Sequence, residues 1–151
     1  MGVTHSTFTL ERHYPAPVER VFDAWANPDA RKRWMAQGAE HSQDFVLGGV
    51  ETVRGVDGEG RILIYEARYV EIVPGERILT TSTLHTEDRL STVSATSVEF
   101  QAEGSGTRVV LTEHGIYLPG QEQPTWRELG TAQQLDTLAA EFHAATKEQE
   151  I

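Results

Sequence analysis

APVERVFDAWANPDARKRW, residues 16–34, is the stretch on which the reading of the whole chain turns. Val18, Val21, Phe22 and Trp25 recur at helical spacing, and Pro17 suits a first helical position. At NPDARKRW a second helix starts, with Asn27 as N-cap, Pro28 in the first position, Asp29 favourably placed against the dipole and Trp34 near the end. Two of the three tryptophans therefore sit on a short helix pair. On either side of it the sequence reads as strands.

Before it, STFTLERHY alternates, with Phe8, Leu10 and Tyr14 on one face, and PAP ends the run as a first strand. After it, from Phe45 to Tyr117, turn signals fall at hairpin spacing: Gly48-Gly49, Asp57 to Gly60, Pro74 to Glu76, Thr86 to Asp88 and Gly104 to Gly106. That spacing predicts about six more antiparallel strands in a meander. PTWRELGTAQQLDTLAAEFHAATK closes the chain as a long helix. In it Thr125 and Glu128 have capping-box spacing, and Glu128, Ala132, Leu135, Leu138, Ala139 and Phe142 form a stripe. A curved sheet of this kind buries one face, and only the long helix and the early helix pair can cover it. The expected architecture is α+β, with the helix pair plugging one end of the concavity, Trp25 as plug and Trp34 as rim.

Composition narrows the function. The 151 residues fit one domain, expected to span 1–151, with 38% hydrophobic and 24% charged residues. No apolar run reaches the roughly 18 residues of a membrane-spanning helix, and MGVTHSTFTL lacks the pattern of a secretory signal. With no cysteine there is neither a disulfide framework nor a thiolate site, and the default expectation is a soluble protein of the cytoplasm. A net charge of −10 opposes nucleic-acid binding, and Arg31 to Arg33 is too short a basic cluster to reverse it. The six histidines (His5, His13, His41, His85, His114, His143) show no paired ligand spacing, so neither a metal nor a cofactor is expected. DGEGR reads as a turn rather than a calcium loop, and no nucleophile elbow or phosphate-cradling loop occurs. His85 and His114, near strand ends, are available as acid or base but stand alone.

FTLERHYPAPVERVFDAWANPDARKRWM, the LGG at 47–49, YVEIVPGERI at 69–78, GTRVVLTEHG at 106–115 and LDTL at 135–138 together resemble the START-like SRPBCC superfamily. The branch they are most similar to is that of homologues of the activator of heat-shock protein 90 ATPase. The resemblance covers nearly the whole chain. It implies a START-like or Bet v-like helix-grip fold, a curved antiparallel sheet of about seven strands wrapped around a long C-terminal helix with a cavity between them. It constrains activity much less, because such folds serve lipid and hormone binders, polyketide cyclases and hydrolases. One departure stands out: the aromatic common in the branch after GG is replaced here by GGVE, with Glu51.

Strand parity shows what would line such a cavity. Leu63, Tyr65, Ala67 and Tyr69 form an uncharged face, assigned inward. The same test turns Phe45 and Leu47 inward on the preceding strand, and Val109 and Leu111 on the last one, where the register brings Glu113 inward as well. Glu51 shares the parity of Val53. Inward carboxylates demand a partner or a raised pKa, and Arg12, on the face of Phe8 and Leu10, is the expected partner of at least one. Tyr65, Tyr69, Tyr117 and Trp126 supply aromatic walls with a few polar donors. With Leu129 added, the candidate ligand-binding set is Trp25, Trp34, Phe45, Glu51, Tyr65, Tyr69, Glu113, Tyr117, Trp126 and Leu129; no catalytic residue is assigned.

Three functions fit these residues. The first is binding of a small hydrophobic or aromatic molecule. The second is an enzyme of the cyclase or hydrolase type using Glu51, Glu113 or Tyr65. The third, resting on family resemblance alone, is a co-chaperone-like partner of a heat-shock ATPase. A homodimer is compatible with all three.

Overall fold

The chain crosses its sheet once, from one edge to the other. The computed structural model describes residues 2–150, with side chains through residue 142, so His143 lies outside the described side chains. The first strand, β1 (Thr4–Tyr14), is followed by α1 (Val18–Ala26), α2 (Pro28–Arg31) and a π-helical turn over Lys32–Ala36. Six strands come next: β2 (Glu40–Gln43), β3 (Val50–Val56), β4 (Ile62–Val73), β5 (Arg77–Thr86), β6 (Arg89–Glu103) and β7 (Gly106–Tyr117). The long helix α3 (Pro124–Glu150) ends the described chain. The seven strands pair antiparallel in the order β1-β7-β6-β5-β4-β3-β2. Since β1 and β2 are opposite edges, the segment between them must span the sheet, and the helix pair does so. This is the helix-grip α+β fold, a curved open sheet with its final helix against one face.

The helix pair forms for the reasons legible in its sequence. Asn27 caps α2, its side-chain oxygen accepting from the backbone N–H of Asp29 at 2.9 Å and of Ala30 at 3.3 Å. Pro17 stands one place earlier than expected, as the N-cap of α1. Val21, Phe22 and Trp25 are buried, and Phe22 and Trp25 both pack edge-on against Phe100 of β6. Trp34 is 3% exposed and donates its indole N–H to the Ala24 carbonyl at 2.8 Å, tying the π turn to α1. It is therefore an inner wall of the fold rather than a rim.

Two expectations are corrected at element ends. Phe45 and Leu47 do not lie on a strand: residues 44–49 form a turn after β2, and Leu47 is 72% exposed. The two glycines demand that turn. Gly48 has φ +77°, and a Cβ on Gly49 would lie 2.1 Å from the Asp44 carbonyl oxygen. Thr125 does not open a capping box, because α3 begins at Pro124, whose fixed φ suits the first helical position. Glu128 of the expected stripe is exposed.

The stripe's other large members hold the sheet. Leu135, Leu138 and Phe142 are essentially fully buried against β1, β7 and α1 residues of the core cluster. Tyr14 donates its hydroxyl to the Leu135 carbonyl at 2.7 Å, and its ring meets Phe142 at 5.3 Å between centroids. The N-terminal half of α3 turns a different face to the sheet: Arg127, Gly130, Thr131 and Gln134, with Trp126 at its edge and no buried apolar side chain until Leu135. Register across the strands sets Ala67 opposite Ser82, Ser82 opposite Ser94 and Ser94 opposite Gly115, a row of small residues along the concave face. Farther along the sheet, Gly55, Thr80 and Thr96 face Gly130 and Thr131 of the helix across a gap.

Candidate functional site

That gap is a cavity of about 320 Å³ between the sheet and the first turns of α3. Its walls are mostly apolar or aromatic: Trp25 and Trp34 from the helix pair; Val53, Leu63, Tyr65 and Tyr69 from β3 and β4; Ile78, Leu84, Val98 and Leu111 from the later strands. Trp126 stands at the mouth, 62% exposed. Two arginines and two glutamates also face it: Arg31, Arg127, Glu113 and Glu122.

The inner cluster centres on Glu51, which is 1% exposed. Arg31 grips it with two parallel bonds, Nε to Oε2 at 2.8 Å and Nη2 to Oε1 at 2.9 Å, and His41 Nε2 lies 2.9 Å from Oε2. The Arg31 guanidinium also stacks on Trp34, 4.8 Å from the ring centroid. Burial by itself would push the Glu51 carboxyl up, but the charge and hydrogen bonds of Arg31, with those of His41, outweigh it and hold the group below the ordinary carboxylate value. Glu51 is thus a fixed anion behind the wall, and Arg31 presents the lining surface.

The outer cluster is built on α3. Arg127 donates from Nε to both oxygens of Glu122, at 3.1 and 3.0 Å, from Nη2 to Glu122 Oε1 at 3.0 Å, and from Nη1 to Glu113 Oε2 at 3.2 Å. Thr96 donates to Glu113 Oε1 at 3.0 Å. Here burial wins: it raises the Glu113 carboxyl, the opposing pull of Arg127 and Thr96 falls short, and the charge of Glu122 adds to the rise. Tyr65 sits between the clusters, and its hydroxyl is pushed up to about 12, first by burial and then by the Glu51 charge. At neutral pH it is a neutral donor and acceptor.

Of the ten residues singled out from the sequence, Trp25, Trp34, Tyr65, Tyr69, Glu113 and Trp126 are brought together on the cavity. The other four stand elsewhere. Phe45 packs behind the wall, against Phe22 at 5.8 Å and Tyr69 at 4.9 Å. Glu51 lies behind Arg31. Tyr117 is 2% exposed, its ring folded over Gly115, where a Cβ would come within 2.7 Å of it. Leu129 is 60% exposed on the outer side of α3. The expected pairing of a glutamate with Arg12 is not formed: Arg12 donates to Asp136 at 2.9 Å, because β1 runs beside the later turns of α3, away from either glutamate's cation. The glutamates have their own arginines, Arg31 and Arg127. Neither was singled out from the sequence, nor was His41. For Arg127 a signal was present: with Gly130, Thr131, Gln134 and Leu135 it recurs at helical spacing on the cavity side.

Known proteins share the fold. No curated protein matches the chain. Among solved structures, an uncharacterized protein from Rhizobium leguminosarum shares 35% identity at a TM-score of 0.90, over 94% of this chain and 97% of that one. Mll3558 from Rhizobium loti shares 39% at 0.87, over 93% and 99%. CalU16 from Micromonospora echinospora, at 21% identity and TM-score 0.63 over 91% and 79%, shares the fold. Residues 15–143 match the family model described as Activator of Hsp90 ATPase homolog 1-like protein, and the chain belongs to that family.

Proposed function

We propose that this protein binds a small, flat or elongated, largely apolar molecule in the cavity beneath the first half of α3. The observation that carries the reading is the cavity itself, about 320 Å³ walled by two tryptophans, two tyrosines and aliphatic side chains where the helix stands off the sheet. The family's fold is a ligand-binding type of scaffold, which supports the same reading. In this account Trp25, Trp34, Tyr65, Tyr69 and Trp126 contact the ligand. Phe45 and Glu51 act from behind, by fixing Tyr69 and Arg31.

The test uses N-phenyl-1-naphthylamine, a neutral dye whose emission rises in apolar surroundings. Gly130 faces the cavity with nothing within 4 Å of where its Cβ would be, so the side chain of Gly130→Phe starts in open space and its ring takes up cavity volume. The dye is expected to bind the wild type and to lose at least tenfold in affinity in the variant, with the melting temperature kept. Equal affinity in both would overturn the reading.

A second reading, an enzyme of the cyclase or hydrolase type, draws on one observation: Glu113 is a cavity carboxyl with a raised pKa near the Tyr65 hydroxyl. An NMR titration decides it. A Glu113 carboxyl titrating above about pH 6 would be poised for general-base work and would favour the enzyme, whereas one titrating below that is held by Arg127 and serves binding.

A further inference from the structure

The polar groups of the cavity are unevenly matched in charge. Among the described residues Arg31 and Arg127 are the only cations on its walls, and both are ion-paired: the first bidentate to Glu51, the second to Glu122 and Glu113. Two buried arginines thus meet three carboxylates, with the His41 ring on the far side of Glu51. Arg31 keeps three N–H groups without a partner among the described residues, but its charge is balanced by Glu51, so the charge left over around the cavity is negative and brings acceptor capacity. A carboxylate offers about four lone-pair sites, and Glu113 uses one on each oxygen, to Thr96 and Arg127. Its neighbour Tyr65 supplies a hydroxyl of either sense.

Resting on the binding reading above, we infer that the cavity selects an uncharged ring system bearing an O–H or N–H donor, received by Glu113, and rejects the carboxylate of the same shape. Fatty acids and aromatic acids, which the apolar walls alone would admit, are excluded by charge. A carboxylate placed here would face Glu113 and Glu122 while the charge of each arginine is already balanced by a carboxylate, in surroundings where an unmatched charge is poorly solvated. A donor placed here completes Glu113 instead and holds it ionised beside Arg127. Glu113 is then the specificity-determining residue of the site.

Three probes of one shape separate these effects: 2-naphthol, uncharged at neutral pH and carrying a donor; 2-methoxynaphthalene, lacking the donor; and 2-naphthoate, an anion. Calorimetric titration of the wild type at pH 7.5 is expected to rank them naphthol, methoxynaphthalene, naphthoate. The first and last should differ by about tenfold or more, the worth of one hydrogen bond to a charged group. Glu113→Gln is expected to narrow that gap by weakening naphthol and admitting naphthoate. Should the variant melt early, the wild-type ranking alone decides. Naphthoate binding as tightly as naphthol, or methoxynaphthalene equalling naphthol, overturns the inference and leaves the binding reading standing. If the neutral dye and all three probes fail to bind, the binding reading falls and takes this inference with it.

Discussion

The two buried glutamates are built alike and behave in opposite ways. Each points inward from a strand, each is under a tenth exposed and each bonds an arginine from a helix. Glu51 is gripped by both ends of the Arg31 fork and touched by His41, and its pKa is lowered. Glu113 has a single 3.2 Å bond from an arginine that gives most of its donors to Glu122, and its pKa is raised. Burial is the largest influence on both. Whether a buried carboxylate is structural or available depends on how completely its cation is committed to it, and here the fully matched one lies behind the wall while the half-matched one faces the cavity.

The largest expected effect breaks the matched pair. Arg31→Met would leave Glu51 buried with only His41, and removing one partner of such a pair costs about 3–5 kcal/mol. Denaturant titration at pH 7 should show it, and a loss under about 1 kcal/mol would mean that the pair does not hold the wall. The same change at the outer cluster should cost less. Arg127→Met is expected to lose about 1–3 kcal/mol, since Glu113 can take up a proton and Glu122 is closer to solvent. A larger loss than for Arg31→Met would reverse the ranking.

Acid sharpens the contrast, because the two groups pull stability in opposite directions. A lowered carboxyl contributes stability that is present above its unfolded value and lost as pH falls through the folded one, so the Glu51 contribution should last until pH drops below the ordinary 4.5. A raised carboxyl opposes folding at neutral pH and ceases to do so once protonated. As pH falls from neutrality towards the ordinary 4.5 the wild type should therefore gain stability relative to Glu113→Gln. A flat difference over that range would show that Glu113 is as well matched as Glu51. The smallest effect concerns the gap itself: Gly130→Ala should stabilise by about 0.5–1 kcal/mol, the helix-propensity difference, since nothing obstructs the new methyl. A loss would mean that the helix face at Gly130 is closed.

Strand parity was enough to turn Glu51 and Glu113 inward and to put Leu63, Tyr65 and Tyr69 on the concave face, because alternation in a half-buried sheet is a local property of the chain. Hairpin turns and the Asn27 cap were legible for the same reason. The partners were not. Arg31 reaches Glu51 from another layer, twenty residues away, and Arg127 spans from helix to sheet, so each pairing depends on how layers stack rather than on spacing within an element. Leu47 misled because alternation was carried through a turn that Gly48 and Gly49 impose. Tyr117 had the right parity, yet its ring lies over Gly115 and not on the cavity, an adjustment within the strand that periodicity does not register.

Amide and indole chemical-shift changes on titration with 2-naphthol report whether ligands enter beneath the first half of α3. The largest shifts are expected on Gly130 and Thr131 and on the Trp25 and Trp34 indoles. Shifts concentrated instead on a second depression of the sheet, at His5, Thr81, His114 and Ile116, would contradict it.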